Sequence, residues 1–150
     1  MARPTPEQFG ERAIQVGLLT DRQLRQVWNS FGNQPVDLDG LLQALVRQEL
    51  LTNYQLDRLL KGEQTGYFFG DYKVLYLVGT GTFARVFRAV HTETGQVVAI
   101  KALRSRFSEI PAQYKLFLRE GELGLTLRHP NIVQIHAVHS IGGTHFFVME

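Results

Sequence analysis

Apolar residues recur at helical spacing from residue 5 to residue 62 and at mostly strand spacing from residue 72 to residue 149. That single change of period constrains the fold more than any composition figure does. It falls at a glycine-rich joint, Gly62 to Gly70, and predicts two small domains, residues 1–65 and residues 66–150. With 150 residues and 44% apolar content, both halves can bury a core, which argues against intrinsic disorder.

The first half carries an internal repeat. Phe9, Ala13, Ile14, Leu18, Leu19, Thr20, Gln23, Leu24, Val27 and Trp28 recur at a fixed offset as Leu41, Leu45, Val46, Leu50, Leu51, Thr52, Gln55, Leu56, Leu59 and Leu60. Thr20 and Thr52, each followed three residues later by a glutamine, have the spacing of a capping box. Thr5, Pro6 and Gln8 open the first helix in the same manner. The expected module is therefore two helical hairpins. Leu24, Val27, Trp28 and Phe31 share one helical face, while Asp37 and Asp39 read as part of a proline-containing turn. Nothing in this half suggests chemistry, and docking to a protein partner is the expected role.

Charge narrows the functional classes. Lys and Arg number 16 against 14 Asp and Glu, a formal charge of +2, so there is no strong basic field for nucleic acid. Seven basic and eight acidic groups fall in residues 1–65, which also disfavours a DNA-reading helix-turn-helix. The absence of cysteine excludes disulfides, thiolate zinc sites, iron–sulfur clusters and a cysteine nucleophile. The N-terminus lacks the apolar run of a secretory signal, and no segment approaches the length of a membrane span. A soluble cytoplasmic protein is the expectation.

In the second half, Tyr72, Val74, Tyr76 and Val78 alternate along a predicted strand, then Gly79-Thr80-Gly81-Thr82-Phe83-Ala84-Arg85-Val86 leads into another strand ending near Val90. Glycines in such a loop let backbone amides approach phosphate oxygens. A dinucleotide-binding fold would require a helix after this loop, whereas the sequence continues as a strand. The next run, Val97 to Leu103, is apolar except for Lys101, and alternation puts Val97, Ala99 and Lys101 on one face. A buried ammonium there needs an anion. A predicted helix from Pro111 to Arg128 places Glu120 within a stripe of Leu116, Leu123 and Leu127, expected to face the core, and makes Glu120 the partner of Lys101 in preference to Glu122. Gly121 and Gly124 weaken this helix by up to about 1 kcal/mol each.

These residues carry a family resemblance. G-T-G-T-F-A-R-V, V-A-I-K ending at Lys101, F-L-R-E ending at Glu120, H-P-N-I-V at 129 to 133 and F-V-M-E at 147 to 150 resemble the N-terminal lobe of a eukaryotic-like serine/threonine protein kinase, and a helical module ahead of it resembles bacterial members. The resemblance implies an α+β fold: the helical module, then a five-stranded antiparallel sheet with one main helix. It implies that Gly79, Thr80, Gly81, Thr82, Phe83, Ala84 and Val86 cover the ATP phosphates, and that Lys101 pairs with the α- and β-phosphates while Glu120 holds Lys101. Val78, Val86 and Ala99 would line the adenine site, with Met149 as gatekeeper and Glu150 as first hinge residue. Ile135 would join an apolar column linking helix to sheet. Magnesium ligands would lie only in the C-terminal lobe.

Two departures qualify the resemblance. Ala84 stands where the loop's third glycine is usual, adding a methyl near the phosphates. The sequence also stops at Glu150, before any catalytic-loop aspartate or D-F-G motif, so the 150 residues are expected to lack phosphotransferase activity and to bind ATP weakly at best. The apolar surface that the other lobe would cover predicts self-association. The alternative is a non-catalytic interaction or scaffold protein with a degenerate kinase lobe. His129, His136, His139 and His145 cluster late in the chain, but His136 and His139 project to opposite faces of a strand, so no metal site is expected.

Overall fold

A computed structural model describes residues 3–150. The chain divides into two compact units, the first ending at Tyr67 and the second running from Phe68 to Glu150.

The first unit holds helices α1 (Pro6–Gln15), α2 (Asp21–Ser30), α3 (Leu38–Arg47) and α4 (Asn53–Leu60). Thr5, Thr20 and Thr52 each accept a hydrogen bond from the backbone amide of the glutamine three residues on, and that glutamine returns one to the threonine amide. Orphan amides at three helix starts are thus satisfied by side chains adjacent in sequence. Asp37 and Asp39 do not sit in a turn as expected. Asp37 is the N-cap of α3, accepting from the Gly40 amide at 2.8 Å, and Asp39 lies in the first helical turn, paired with Arg3 at 2.8 Å. Acceptors and negative charge at a helix start offset its free amides and dipole. Phe9, Ala13, Val27, Leu41, Leu45 and Leu59 are buried between the helices, and the Arg12 guanidinium donates to the Leu59 carbonyl. At the end of the unit, Tyr67 is buried, donates its hydroxyl to the Glu63 carbonyl at 2.7 Å, and lies beneath the Arg58 guanidinium.

The second unit is an antiparallel sheet with one long helix, an α+β arrangement. Its strands are β1 (Phe68–Phe69), β2 (Tyr72–Thr80), β3 (Ala84–His91), β4 (Val97–Leu103), β5 (Ile135–Ile141) and β6 (Thr144–Met149), in the order β1-β2-β3-β4-β6-β5. The sheet has six strands where five were expected. The additional edge pair forms because the Phe69 ring packs against Phe87 and Phe146, with centroids 5.3 and 5.4 Å away. The alternation expected along β2 does not persist: Val74 is fully buried, but register shifts follow it, and Tyr76 and Val78 are exposed. Each register shift moves the side chains after it to the other phase, so the alternation is broken twice along the strand.

Helix α5 (Pro111–Thr126) packs on β5 and β6 through a face that the sequence reading did not assign to the core. Leu116, Leu123 and Leu127 are 68%, 58% and 50% exposed, whereas Phe117 and Gly121 are buried. The stripe in contact with the sheet is Tyr114, Phe117, Gly121 and Gly124, rotated by about one residue, or 100°. Its glycines are the physical reason. A Cβ at Gly121 would overlap the Phe147 ring and a Val138 methyl, and one at Gly124 would overlap Ile135, so the sheet's large side chains fill the space that the helix leaves. Leu103, Phe117, Ile135 and Phe147 form the resulting core cluster, with Ile135 joining helix to sheet.

Candidate functional site

Period-two geometry on β4 sends Val98, Ile100 and Ala102 to one side of the sheet and Ala99, Lys101 and Leu103 to the side covered by α5. Lys101 is opposite Val86 on β3 and Phe147 on β6, so its ammonium group emerges between the glycine loop and the helix. There it meets Glu120 at 2.9 Å. The expected partner is therefore in contact, but not for the expected reason: the Glu120 side chain is 58% exposed and that of Lys101 32%, so neither is a buried charge in search of compensation. An ion pair this open to water contributes only about 0–1 kcal/mol to stability. Its placement makes chemical sense as a means of orienting Lys101.

The pair forms one wall of a cleft of about 480 Å³, lined by Gly79, Thr80, Gly81, Phe83, Ala84, Val86, Lys101, Phe117 and Glu120. Ala99 and Met149 are register partners on β4 and β6, two residues along from the Lys101–Phe147 pair, and Glu150 donates its amide to the Gln134 carbonyl. Val78, Thr82, Ala99, Met149 and Glu150 lie outside the cleft lining.

The loop over the cleft has a defined shape. The Gly81 amide donates to the Ala84 carbonyl at 2.8 Å, and a Cβ at Gly81 would stand 3.3 Å from that oxygen. At Gly79 a Cβ would meet nothing within 4 Å, so the residue leaves open space that a side chain would occupy. Ala84 packs against the Leu103–Phe117–Phe147 cluster, which gives its methyl an apolar contact. Open space beside a lysine under a glycine-bearing turn fits a polyanion such as a phosphate chain.

Three contributors escaped the sequence reading. Phe117 lines the cleft and stacks on Phe147 with centroids 4.1 Å apart. Arg104 donates from its side chain to the Gly81 carbonyl at 3.2 Å and from its backbone to the Phe83 carbonyl at 2.8 Å, tying the loop to the end of β4. Phe107 meets the loop-tip Phe83 at 4.9 Å. Arg104 carries no periodic signal, and Phe107 sits in a short 3-10 turn whose direction only the fold specifies. The His129 ring accepts from the Asn131 amide at 3.0 Å, a turn-holding contact.

A family profile described as Protein kinase domain matches residues 72–150. The CBL-interacting serine/threonine-protein kinase 14 of Arabidopsis thaliana is 40% identical over 85 residues, covering 57% of this chain and 19% of that protein. Serine/threonine-protein kinase PknA of Mycobacterium tuberculosis is 34% identical over 86 residues, covering 54% of this chain and 20% of that protein. The crystal structure of the Mycobacterium tuberculosis PknI kinase domain gives a TM-score of 0.48 at 25% identity, covering 57% of this chain and 34% of that one. The chain thus spans less than a quarter of either curated relative.

Proposed function

Because the chain belongs to the protein kinase family by its match over residues 72–150, we propose that its second unit is the nucleotide-binding lobe of a serine/threonine protein kinase, with ATP seated under the glycine loop. The observation that carries this reading is the 2.9 Å Lys101–Glu120 pair facing the open space at Gly79. When bound, ATP supplies the phosphoryl group that a protein substrate would accept. The chain's own residues bind and orient it: the loop from Gly79 to Val86 faces the phosphates, Lys101 holds the α- and β-phosphates, and Glu120 fixes Lys101 in place. Val78, Val86 and Ala99 flank the base, with Met149 and Glu150 at its far edge.

Neither an H-R-D nor a D-F-G triplet occurs in the 150 residues. The groups that would hold Mg²⁺ and position the acceptor hydroxyl belong to the family's other lobe, so residues 1–150 by themselves are expected to show no phosphoryl transfer. Exposed Leu116, Leu123 and Leu127 support self-association at high concentration. The helical unit, residues 1–65 in this division, recruits a protein partner. What supports that role is a cleft of about 530 Å³ along α3 and α4, lined in part by Leu42, Val46, Leu56 and Leu60.

The test is titration of the chain with a fluorescent ATP analogue, alongside Lys101→Met. Charge-assisted bonds contribute about 1.5–3 kcal/mol, so the variant should bind about 10- to 100-fold more weakly with unchanged melting. Equal affinities would overturn the ATP reading. Phosphate transfer by the purified 150 residues in a radiometric assay would overturn the expected inactivity.

A further inference from the structure

His145 is a buried histidine that the ATP reading leaves without a role. It is 8% exposed on β6, and its ring stacks on Tyr114 of α5 with centroids 4.9 Å apart and planes 22° from parallel. Its Nε2 lies 3.3 Å from the Ser108 carbonyl and its Nδ1 lies 2.7 Å from Ser140 Oγ. A carbonyl can only accept, so Nε2 carries the hydrogen, and in the neutral ring Nδ1 then accepts from the Ser140 hydroxyl. Both ring nitrogens are thereby engaged, one of them by the segment that leads into α5.

A second, parallel contact lies farther along the same helix. Phe117 stacks on Phe147 with planes 16° apart. His145 and Phe147 share one face of β6, Tyr114 and Phe117 share one face of α5, and Glu120 is the next residue in that three-residue series. Phe147 is also the register partner of Lys101. The two stacks therefore form a ladder whose lower rung sits beside the ion pair. Contacts at Phe117, Gly121 and Gly124 hold the middle and later turns of the helix, and the Tyr114–His145 rung lies at its start. Pro111 opens the helix, but Ile110 at its N-cap makes no side-chain hydrogen bond, and Gly121 and Gly124 weaken its later turns. The half-exposed Lys101–Glu120 pair is likewise too weak to hold it.

We propose that His145 is a positioning residue that fixes the start of α5 through Tyr114 and the Ser108 carbonyl, holds Glu120 within reach of Lys101, and so sets nucleotide affinity. This rests on the ATP reading above. The test uses the 150-residue chain with His145→Ala and His145→Phe, each in wild-type and Lys101→Met backgrounds, reading affinity for a fluorescent ATP analogue and backbone amide exchange. His145→Phe keeps the stack and loses both hydrogen bonds, which covers the case in which the alanine variant folds poorly. In the wild-type background His145→Ala is expected to weaken binding about tenfold, with His145→Phe in between. Amides of residues 112–120 should exchange faster in both variants while those of Val98 and Ile100 do not change. In the Lys101→Met background neither variant should cost further affinity, because the path through Lys101 is already cut. An equal loss in both backgrounds, or unchanged affinity and exchange, overturns the proposal. If the wild-type chain binds no analogue, the ATP reading falls, and exchange then decides the positioning role alone: faster exchange at residues 112–120 supports it and unchanged exchange overturns it.

Discussion

The two units solve the same problem, that of fixing helices in place, with opposite means. In the helical unit the decisive polar contacts join residues three apart: Thr5 with Gln8, Thr20 with Gln23, Thr52 with Gln55 and Asp37 with Gly40. In the sheet unit, α5 has no such cap and is held by side chains from strands far along the chain, with Phe147 stacking on Phe117, His145 stacking on Tyr114, and His145 reaching Ser108 across 37 residues. Locally capped helices suit a rigid scaffold. A helix whose position depends on distant contacts can carry a residue such as Glu120 whose placement matters to a neighbouring cleft.

The contrast predicts where substitutions hurt. Phe147→Ala removes a fully buried ring that stacks on Phe117, and it should cost about 3–5 kcal/mol in chemical denaturation while the helical unit keeps its own transition. A single transition for both units would show that they unfold together. Gly121→Ala is the sharper test. On propensity alone the alanine should strengthen the helix by up to about 1 kcal/mol. Overlap with Phe147 and Val138 should reverse the sign, for a net loss of about 1–3 kcal/mol. Stabilisation would mean that local propensity governs α5 after all.

In the helical unit the effects should be smaller and local. After α1 the chain turns through Gly17 at φ 86°, and after α3 through Glu49 at φ 59°, each followed by backbone bonds back to the preceding helix. A left-handed conformation that glycine adopts freely strains a glutamate, so Glu49→Gly should stabilise by about 1 kcal/mol, read from the denaturation midpoint. The smallest effect concerns Asp39, whose carboxyl is held below the usual carboxylate range by the hydrogen bond from Arg3 and then by its charge. The stabilisation this provides is present above the unfolded carboxylate value and is lost as pH falls through the folded one. Arg3→Ala should move the Asp39 titration upward in a carboxyl ¹³C NMR experiment.

How legible each part was follows the same division. The capping boxes could be read from the sequence, because threonine and glutamine at that spacing satisfy amides within one turn wherever the helix lies. The glycine loop, the β4 strand and the Lys101–Glu120 pairing were also legible as motifs. The face of α5 was not. Large leucines suggested one stripe, and the structure buries another because Gly121 and Gly124 give no hydrophobic signal and act only through what the sheet inserts beside them. The edge strand at Phe68–Phe69 escaped for a related reason: two residues before a glycine carry no period, and only Phe87 and Phe146 give the Phe69 ring somewhere to pack.

Neighbours along the chain settle the capping boxes of α1, α2 and α4, the change of period at the glycine-rich joint, the glycine loop and the identity of the charged pair. Tertiary structure decided what depends on neighbours across space: the rotation of α5, the exposure of its leucines, the hold of Arg104 on the glycine loop and the contacts of His145 with Ser108 and Ser140. A hydrogen bond inside one helical turn is available to any chain with the right spacing, whereas a close approach between helix and sheet exists only once both surfaces have been assembled.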